Sequence, residues 1–406
     1  MVQQRVVVIG GGTAGLGVIA SLRKRNKQLA ITLIEPQEYH YYQPGWTLVG
    51  AGEYDQRDTR RPMRKLIPSG VTWHKDSVSR VEAERQQVHT AAGQALPYDV
   101  LLICCGLTLR WDKIEGLEET LGKNGVTSNY RYDLAPYTWE LVQQLKCGNA
   151  LFTQPPVPIK CAGAPQKALY LSCDYWHKQH RLGQINTELC IAGQQLFSVS
   201  DFIPELERWL QHYHAQVNYG CKLVRVDGAN RQAWFEQAGA DGETVEVQRS
   251  FDMLHVVPPQ LPPAFISDSG LGNEAGWCDV DEITLQHTRF ASIFSLGDAV
   301  STSNSKTAAA ARKQMVIVAR NVLSFLRQQP LTARYDGYSS CPLTVRRGKV
   351  LLAEFGYNGR LLPTFPLNPL KPRWLGWFLK ARFLPWFYWK GILQGVEWFT
   401  ACKPKR

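Results

Sequence analysis

The chain has 406 residues, 44% of them hydrophobic and 20% charged, with a formal net charge of +11. That length has room for two or three domains with cores of their own, and the composition excludes an intrinsically disordered chain. Ten cysteines are too sparse for a secreted disulfide scaffold, and no run of 18 uninterrupted apolar residues supplies a transmembrane helix. The basic excess points to acidic partners and gathers at one end: from Pro366 onward there are eight Lys or Arg and the single acid Glu397. No signal or transit pattern precedes the apolar residues that begin at Val6, so a cytoplasmic setting with mostly reduced cysteines is expected. Neither a metal site nor a nucleic-acid partner is expected.

Residues 5–9, RVVVI, predict a buried parallel strand, and GGGTAGLG leads from it into a helix through about Lys24. Gly10, Gly12 and Gly15 match GxGxxG, enclosing Thr13 and Ala14. Gly10 permits the tight turn, Gly12 lets a pyrophosphate approach the backbone, and Gly15 lets the helix pack close to the strand. The next strand, AITLIE, ends in Glu35, whose carboxylate suits a ribose 2′-hydroxyl. Strand, glycines, helix, strand and terminal acid in this order specify a dinucleotide site.

Two further strands complete the unit from a distance. YDVLLICCG, residues 98–106, closes on Gly106, and FASIFSLGDAV, residues 290–300, ends in Gly297 and Asp298. A helix is expected to follow from about Ser301, so Asp298 suits a ribityl chain or pyrophosphate, the alternative being a plain helix cap. Such an interrupted domain resembles the FAD domain of the two-dinucleotide-binding-domain flavoproteins. The fold expected is therefore α/β. A discontinuous FAD-binding domain occupies residues 1–115 and 281–335, a second Rossmann-like domain 116–280, and a C-terminal region 336–406.

The middle domain has its own βαβ rhythm: ALFTQ, then a loop and a helix to about His180, then TELCIAG and the amphipathic FIPELERWLQHYHAQ. Neither of its strand-to-helix turns carries a glycine fingerprint. After ALFTQ come three prolines and CAGAP, and after TELCIAG come Gln194, Gln195, Leu196 and Phe197, so no nicotinamide dinucleotide cradle is expected. The first turn carries Cys161 instead. Small residues Ala162, Gly163 and Ala164 follow it, and Pro165 suits the first turn of a helix. A helix N-terminus, with Lys160 and Lys167 if they lie near, would give this thiol thiolate character; the alternative is an inert buried cysteine.

YDGYSSCP places Cys341 in a turn-rich and therefore accessible loop. In the tail, Trp374, Trp377, Phe378 and Ala381 follow helical spacing, Pro385 interrupts, and Trp386, Trp389, Ile392, Val396 and Phe399 resume it, with Arg373, Lys380, Arg382 and Lys390 among them. Paired amphipathic helices of this kind suit an anionic membrane surface, lying on it without crossing. The alternatives are a dimer interface or docking against the core.

Taken together, KCAGAPQKALYL, DGYSSCPL, EPQEYHYYQPGWTLVGAG and SLGDAVSTSNSKTAAAARKQ resemble the sulfide:quinone oxidoreductases, nearest to the mitochondrial type, over essentially the whole chain. LLICCG departs from the family pattern; Cys104 and Cys105 are taken as packing residues, because adjacent cysteines rarely bond without strain. The resemblance implies FAD, hydrogen sulfide as reductant and ubiquinone as acceptor. It pairs Cys161 with Cys341 as a redox disulfide, with the persulfide formed on Cys341 in the more open loop and the thiolate on Cys161. Sulfane sulfur then leaves on a small acceptor such as glutathione, sulfite, cyanide or sulfide. The resemblance also implies that Gln43, Lys306 at the flavin and the Val78 main chain at the adenine belong to the cofactor site. The location expected is peripheral on the inner (cytoplasmic) membrane, cytoplasmic face. Competing readings are a type II NADH:quinone dehydrogenase, the flavin subunit of a sulfide-oxidising flavocytochrome, and a non-enzymatic flavin-binding membrane sensor.

Overall fold

The computed structural model describes residues 3–238 and 243–400. Two parallel sheets organise it. The first has five strands in the order Ile293–Ser295, Val100–Ile103, Arg5–Ile9, Ala30–Ile34, Val71–His74, all parallel. Its central strands are apolar on both faces, as helices covering both sides require. The helix Thr13–Arg25 buries Leu16, Val18, Ile19 and Leu22 completely, each worth about 1.5–3 kcal/mol on burial. Beside it lies the helix Ala308–Leu326. The second sheet also has five parallel strands, in the order Val126–Thr127, Met253–His255, Gly148–Gln154, Ile185–Ile191, Gln216–Tyr219. Helix Ala164–Lys178 covers it and carries the cysteine loop at its start. Two antiparallel three-stranded sheets, at Val78–Pro97 and Lys222–Ser250, are excursions from these units.

Several expected boundaries move. The strand expected over residues 290–300 is only Ile293–Ser295. The helix after it starts at Ala308, where the Thr307 hydroxyl accepts from the Ala310 N–H at 3.1 Å. Asp298 is therefore not a helix cap. Cys341 does not lie in a loop: it belongs to the strand Ser339–Arg346, which pairs antiparallel with Lys349–Phe355, and it is 2% exposed. The run SSCPLTV alternates, and that alternation outweighs the turn residues upstream of it.

The tail is neither a freely projecting pair of helices nor simply buried. Helix Trp374–Phe378 passes through a π turn at Leu379–Phe383 into helix Leu384–Lys390, with Pro385 in its first turn, so the proline sits where a helix tolerates it and breaks none. Phe387, Tyr388, Ile392 and Leu393 join the core of the first domain. Glu397 pairs with Arg25. Trp374, Leu375, Phe378, Trp386, Trp398 and Phe399 stay exposed. Lys380, expected among the surface cations, turns inward and is 3% exposed. Among the described residues no helix is long and apolar enough to cross a membrane.

Candidate functional site

The glycines of the first turn differ in what surrounds them. Gly10 has φ +97°, and a Cβ there would meet the Cys104 carbonyl oxygen at 2.6 Å. One on Gly15 would lie 1.8 Å from the Gly10 carbonyl oxygen, whereas one on Gly12 would meet nothing within 4 Å. Turn and packing are thus made by Gly10 and Gly15, and Gly12 faces open space. Glu35 stands at the turn, 9% exposed, accepting from the Gly11 N–H and the Gln37 N–H at 2.7 Å each; burial raises its pKa, and these bonds oppose the shift.

A large cavity opens above this turn. Of the sequence candidates, Gly12, Thr13, Ala14, Gln43, Gly106, Asp298 and Lys306 line it together with Cys161. Gly10, Gly15 and Glu35 are not part of the lining, nor is Val78, which pairs with Thr90 in the small antiparallel sheet. The cavity wall also holds buried polar atoms with no protein partner: Trp46 Nε1, Thr47 Oγ1 and both amide atoms of Asn129. Buried donors and acceptors are rarely left unpaired, so these fit a polar cofactor in the space. Asp298 is raised in pKa by burial, against the pull of Lys160 and Lys306. Lys306 is pushed down to about 8 by burial, and its Nζ donates to the carbonyls of Val300 at 2.5 Å and Thr302 at 3.0 Å.

At the other end of the cavity the structure brings Cys161 and Cys341 together across 180 residues, Sγ to Sγ 3.9 Å. Cys161 has φ +49°, a strained conformation for a residue with a Cβ. It is held there by its N–H on the Lys306 carbonyl at 2.8 Å, by the Ala164 N–H on its own carbonyl at 2.7 Å, and by the Tyr130 hydroxyl on that carbonyl at 3.1 Å. Gly163 makes room for the partner: a Cβ there would stand 2.7 Å from Cys341 Sγ. This steric reason explains the glycine at position 163.

Charge separates the two thiols. The contact with Cys341 and the Lys167 ammonium, whose Nζ donates to Cys161 Sγ at 3.1 Å, hold Cys161 well below the usual thiol pKa against the effect of burial. Cys341, 3.7 Å from the same Nζ, is pushed up by the contact with Cys161 and by burial. Lys160 interacts with the Cys161 thiol through space but makes its hydrogen bond elsewhere, its Nζ donating to Gln43 Oε1 at 2.8 Å. Burial and the nearby Lys167 push Lys380 down to about 7, while it lowers the pKa of both thiols. Its Nζ donates to the Pro44 carbonyl at 2.6 Å. Sequence reasoning missed it because a lysine among tail aromatics looks like a solvated cation; its position inside the Trp377, Phe378, Ala381 spacing was the available signal.

The tail also reaches the glycine turn. The Tyr388 hydroxyl is 2.7 Å from Thr13 Oγ1 and 2.6 Å from His40 Nε2, and His40 Nδ1 is 2.9 Å from the Gly11 carbonyl. Burial holds His40 neutral, its pKa pushed down to about 4.

Comparison with known proteins follows this geometry. Residues 4–142 match the family model described as pyridine nucleotide-disulphide oxidoreductase. The mitochondrial sulfide:quinone oxidoreductase of Dictyostelium discoideum is 40% identical over 97% of this chain and 87% of its own, and that of Mus musculus 37% over 96% and 86%. A type II NADH:quinone oxidoreductase of Staphylococcus aureus is 27% identical over only 29% of this chain. The solved sulfide:quinone oxidoreductase of Aquifex aeolicus shares the fold at TM-score 0.80 and 20% identity, covering 97% of this chain and 92% of that one.

Proposed function

Because the chain belongs to the sulfide:quinone oxidoreductase family, we propose that it oxidises hydrogen sulfide at the Cys161/Cys341 pair and passes the electrons to a membrane quinone. It is an FAD-dependent oxidoreductase. The observation that carries the finer reading is the meeting of the two cysteines beside one buried lysine at the wall of the cofactor cavity.

FAD, when bound, supplies a two-electron acceptor. Gly12, Thr13 and Ala14 with the helix behind them suit its pyrophosphate, Glu35 and Asp298 its hydroxyls, and Gln43, Gly106 and Lys306 the rest of the wall. Joining the two thiols as a disulfide requires the sulfurs to close from 3.9 Å to about 2 Å. Hydrosulfide then attacks one sulfur, forming a new S–S bond as the other sulfur leaves as a thiolate. The better leaving group is the thiol of lower pKa. The Lys167 Nζ stands 3.1 Å from Cys161 Sγ and 3.7 Å from Cys341 Sγ, so it favours the thiolate on Cys161 and the persulfide on Cys341. This assignment stands on charge and not on access, since Cys341 is the more buried of the two. The Cys161 thiolate, beside the cavity, is the group that delivers electrons onward. The outer sulfur of the persulfide leaves on a small thiolate or sulfite-like acceptor.

The exposed Trp374, Leu375, Phe378, Trp386, Trp398 and Phe399, with Arg373, Arg382 and Lys390 exposed among them, support binding to an anionic membrane surface. Deleting the whole tail is a poor test of this, because it also removes Tyr388, Ile392 and Leu393 from the core. The test of the chemistry is an anaerobic titration of the FAD-loaded protein. Sulfide is expected to bleach the flavin and NADH to leave it oxidised, and Cys161→Ser to abolish the sulfide response. Rapid bleaching by NADH overturns the reading.

A further inference from the structure

The hairpin that carries Cys341 presents two rows of side chains. Cys341 and Leu343, with cross-strand partners Ala353 and Leu351, pack into the core of the second domain. Ser340 and Pro342, with partners Glu354 and Leu352, line the cavity instead. Alternation along one strand therefore puts the sulfur chemistry on one face and Glu354 on the other. On that second face the cavity is walled by Leu352, Phe365, Leu379 and Phe383, an apolar surface beneath the exposed tail aromatics.

Glu354 is a costly residue to place there. It is 7% exposed, and a carboxylate so buried costs several kcal/mol unless its oxygens are satisfied. They are: Glu354 accepts from the Tyr338 hydroxyl at 2.5 Å, the Thr364 hydroxyl at 2.5 Å and the Thr364 N–H at 2.9 Å. Tyr338 also lines the cavity, and Thr364 is exposed at the surface. A continuous hydrogen-bonded chain thus runs from solvent through Glu354 to a phenol in the cavity. The surrounding charges are cationic apart from Asp336. Arg312, 8% exposed, interacts with both Tyr338 and Glu354 and donates to the Trp398 carbonyl at 3.2 Å. Lys313 lies 4.0 Å over the Tyr338 ring and pairs with Asp336 at 3.4 Å. Lys371 and Arg373 line a shallow groove on the other side of Glu354.

We propose that Glu354, relayed by Tyr338, supplies a proton to the quinone reduced in this cavity. The proposal rests on the quinone reading given above. Converting a quinone to a quinol takes two electrons and two protons. FAD, when bound and reduced, would supply the electron pair and one proton. A proton taken up from solvent at Thr364 first converts the Glu354 carboxylate to the acid, which reverses its hydrogen bond to Tyr338 and turns the Tyr338 O–H toward the quinone; the second quinol O–H bond then forms as the Tyr338 O–H breaks and the Glu354 proton moves to the Tyr338 oxygen, leaving the carboxylate. Arg312 and Lys313 stabilise negative charge on Tyr338 and Glu354 while the proton is in transit.

The test separates the two half-reactions. FAD-loaded enzyme is reduced anaerobically with sulfide, then mixed with a short-chain water-soluble ubiquinone analogue while flavin absorbance is followed across pH. Reoxidation of the wild type is expected to slow as pH rises. In Glu354→Gln it is expected to be about 100-fold slower and flat with pH, the range of a lost general acid. Bleaching by sulfide should be unchanged, Tyr338→Phe should share the defect, and Glu354→Asp should restore the pH dependence. Reoxidation of Glu354→Gln at the wild-type rate overturns the proposal, and so does slower reoxidation that keeps the wild-type pH profile, since that is the mark of a packing role. A wild-type enzyme bleached by sulfide but reoxidised by no quinone overturns the parent reading instead.

Discussion

Two strand-to-helix turns, one in each parallel-sheet domain, solve opposite problems. The turn at residues 10–15 leaves space: Gly10 and Gly15 let strand and helix touch, and the room above Gly12 is left for a ligand. The turn at residues 160–164 fills the corresponding place with a side chain of the protein, holding Cys161 at a strained φ of +49° against Cys341 from a distant hairpin. A turn that leaves space is made by backbone alone, whereas a turn built around one side chain needs a partner from elsewhere in the fold. That is why the first is visible as a motif and the second only as an anomaly.

Breaking the first turn should have the largest effect. In Gly15→Ala the new Cβ would lie 1.8 Å from the Gly10 carbonyl oxygen, an overpacking that costs about 1–3 kcal/mol or more. Purified protein should carry little flavin and melt at lower temperature, as absorbance and a thermal scan would show. Next comes the second turn. Gly163→Ala would place a Cβ 2.7 Å from Cys341 Sγ, so flavin content should be normal while reduction by sulfide in stopped flow slows about tenfold or more, a barrier rise near 1.4 kcal/mol.

Charge around the pair sharpens the comparison further. Cys161 is depressed in pKa, so it stays a thiolate as pH falls below the ordinary thiol range and loses that character only on passing its own lowered pKa. Lys167→Met should move the pH midpoint for alkylation of Cys161 by iodoacetamide upward by about one unit or more, with a tenfold loss of reactivity per unit below it. Lys380→Met should shift the midpoint in the same direction by less, because Lys380 acts on the thiol without the direct 3.1 Å hydrogen bond of Lys167. A Lys380 effect as large as that of Lys167 would mean that the tail, and not the helix, sets the thiolate. In the wild type the Lys380 contribution is present below about pH 7 and fades above it, as that ammonium loses its proton.

The expected secondary structure fails in instructive places. The YDGYSSCP stretch is rich in turn formers, yet the strand starts within it at Ser339, because the alternating residues that follow pair with Lys349–Phe355 and pack on the helix Ala164–Lys178. Pro385 was expected to break a helix and instead sits in the first turn of one after a π turn. Tail spacing separated apolar from polar positions but not the two apolar fates: Ala381 and Ile392 are buried, whereas Trp374 and Trp386 are exposed. Period alone says that a face is apolar and not what covers it.

What the sequence determined by itself is local. The glycine fingerprint, the strand ending in Glu35, the lack of a glycine fingerprint after ALFTQ and the small residues behind Cys161 all act through the backbone within a few residues, where spacing and sterics are decisive. Tertiary structure alone decided the electrostatics. It set Lys167 between the two sulfurs, drew Lys380 in from the tail, tied Lys160 to Gln43, and put Cys341 and Glu354 on opposite faces of one hairpin. Interactions between charges depend on distance and burial, and neither is encoded in the order of residues until the chain has packed.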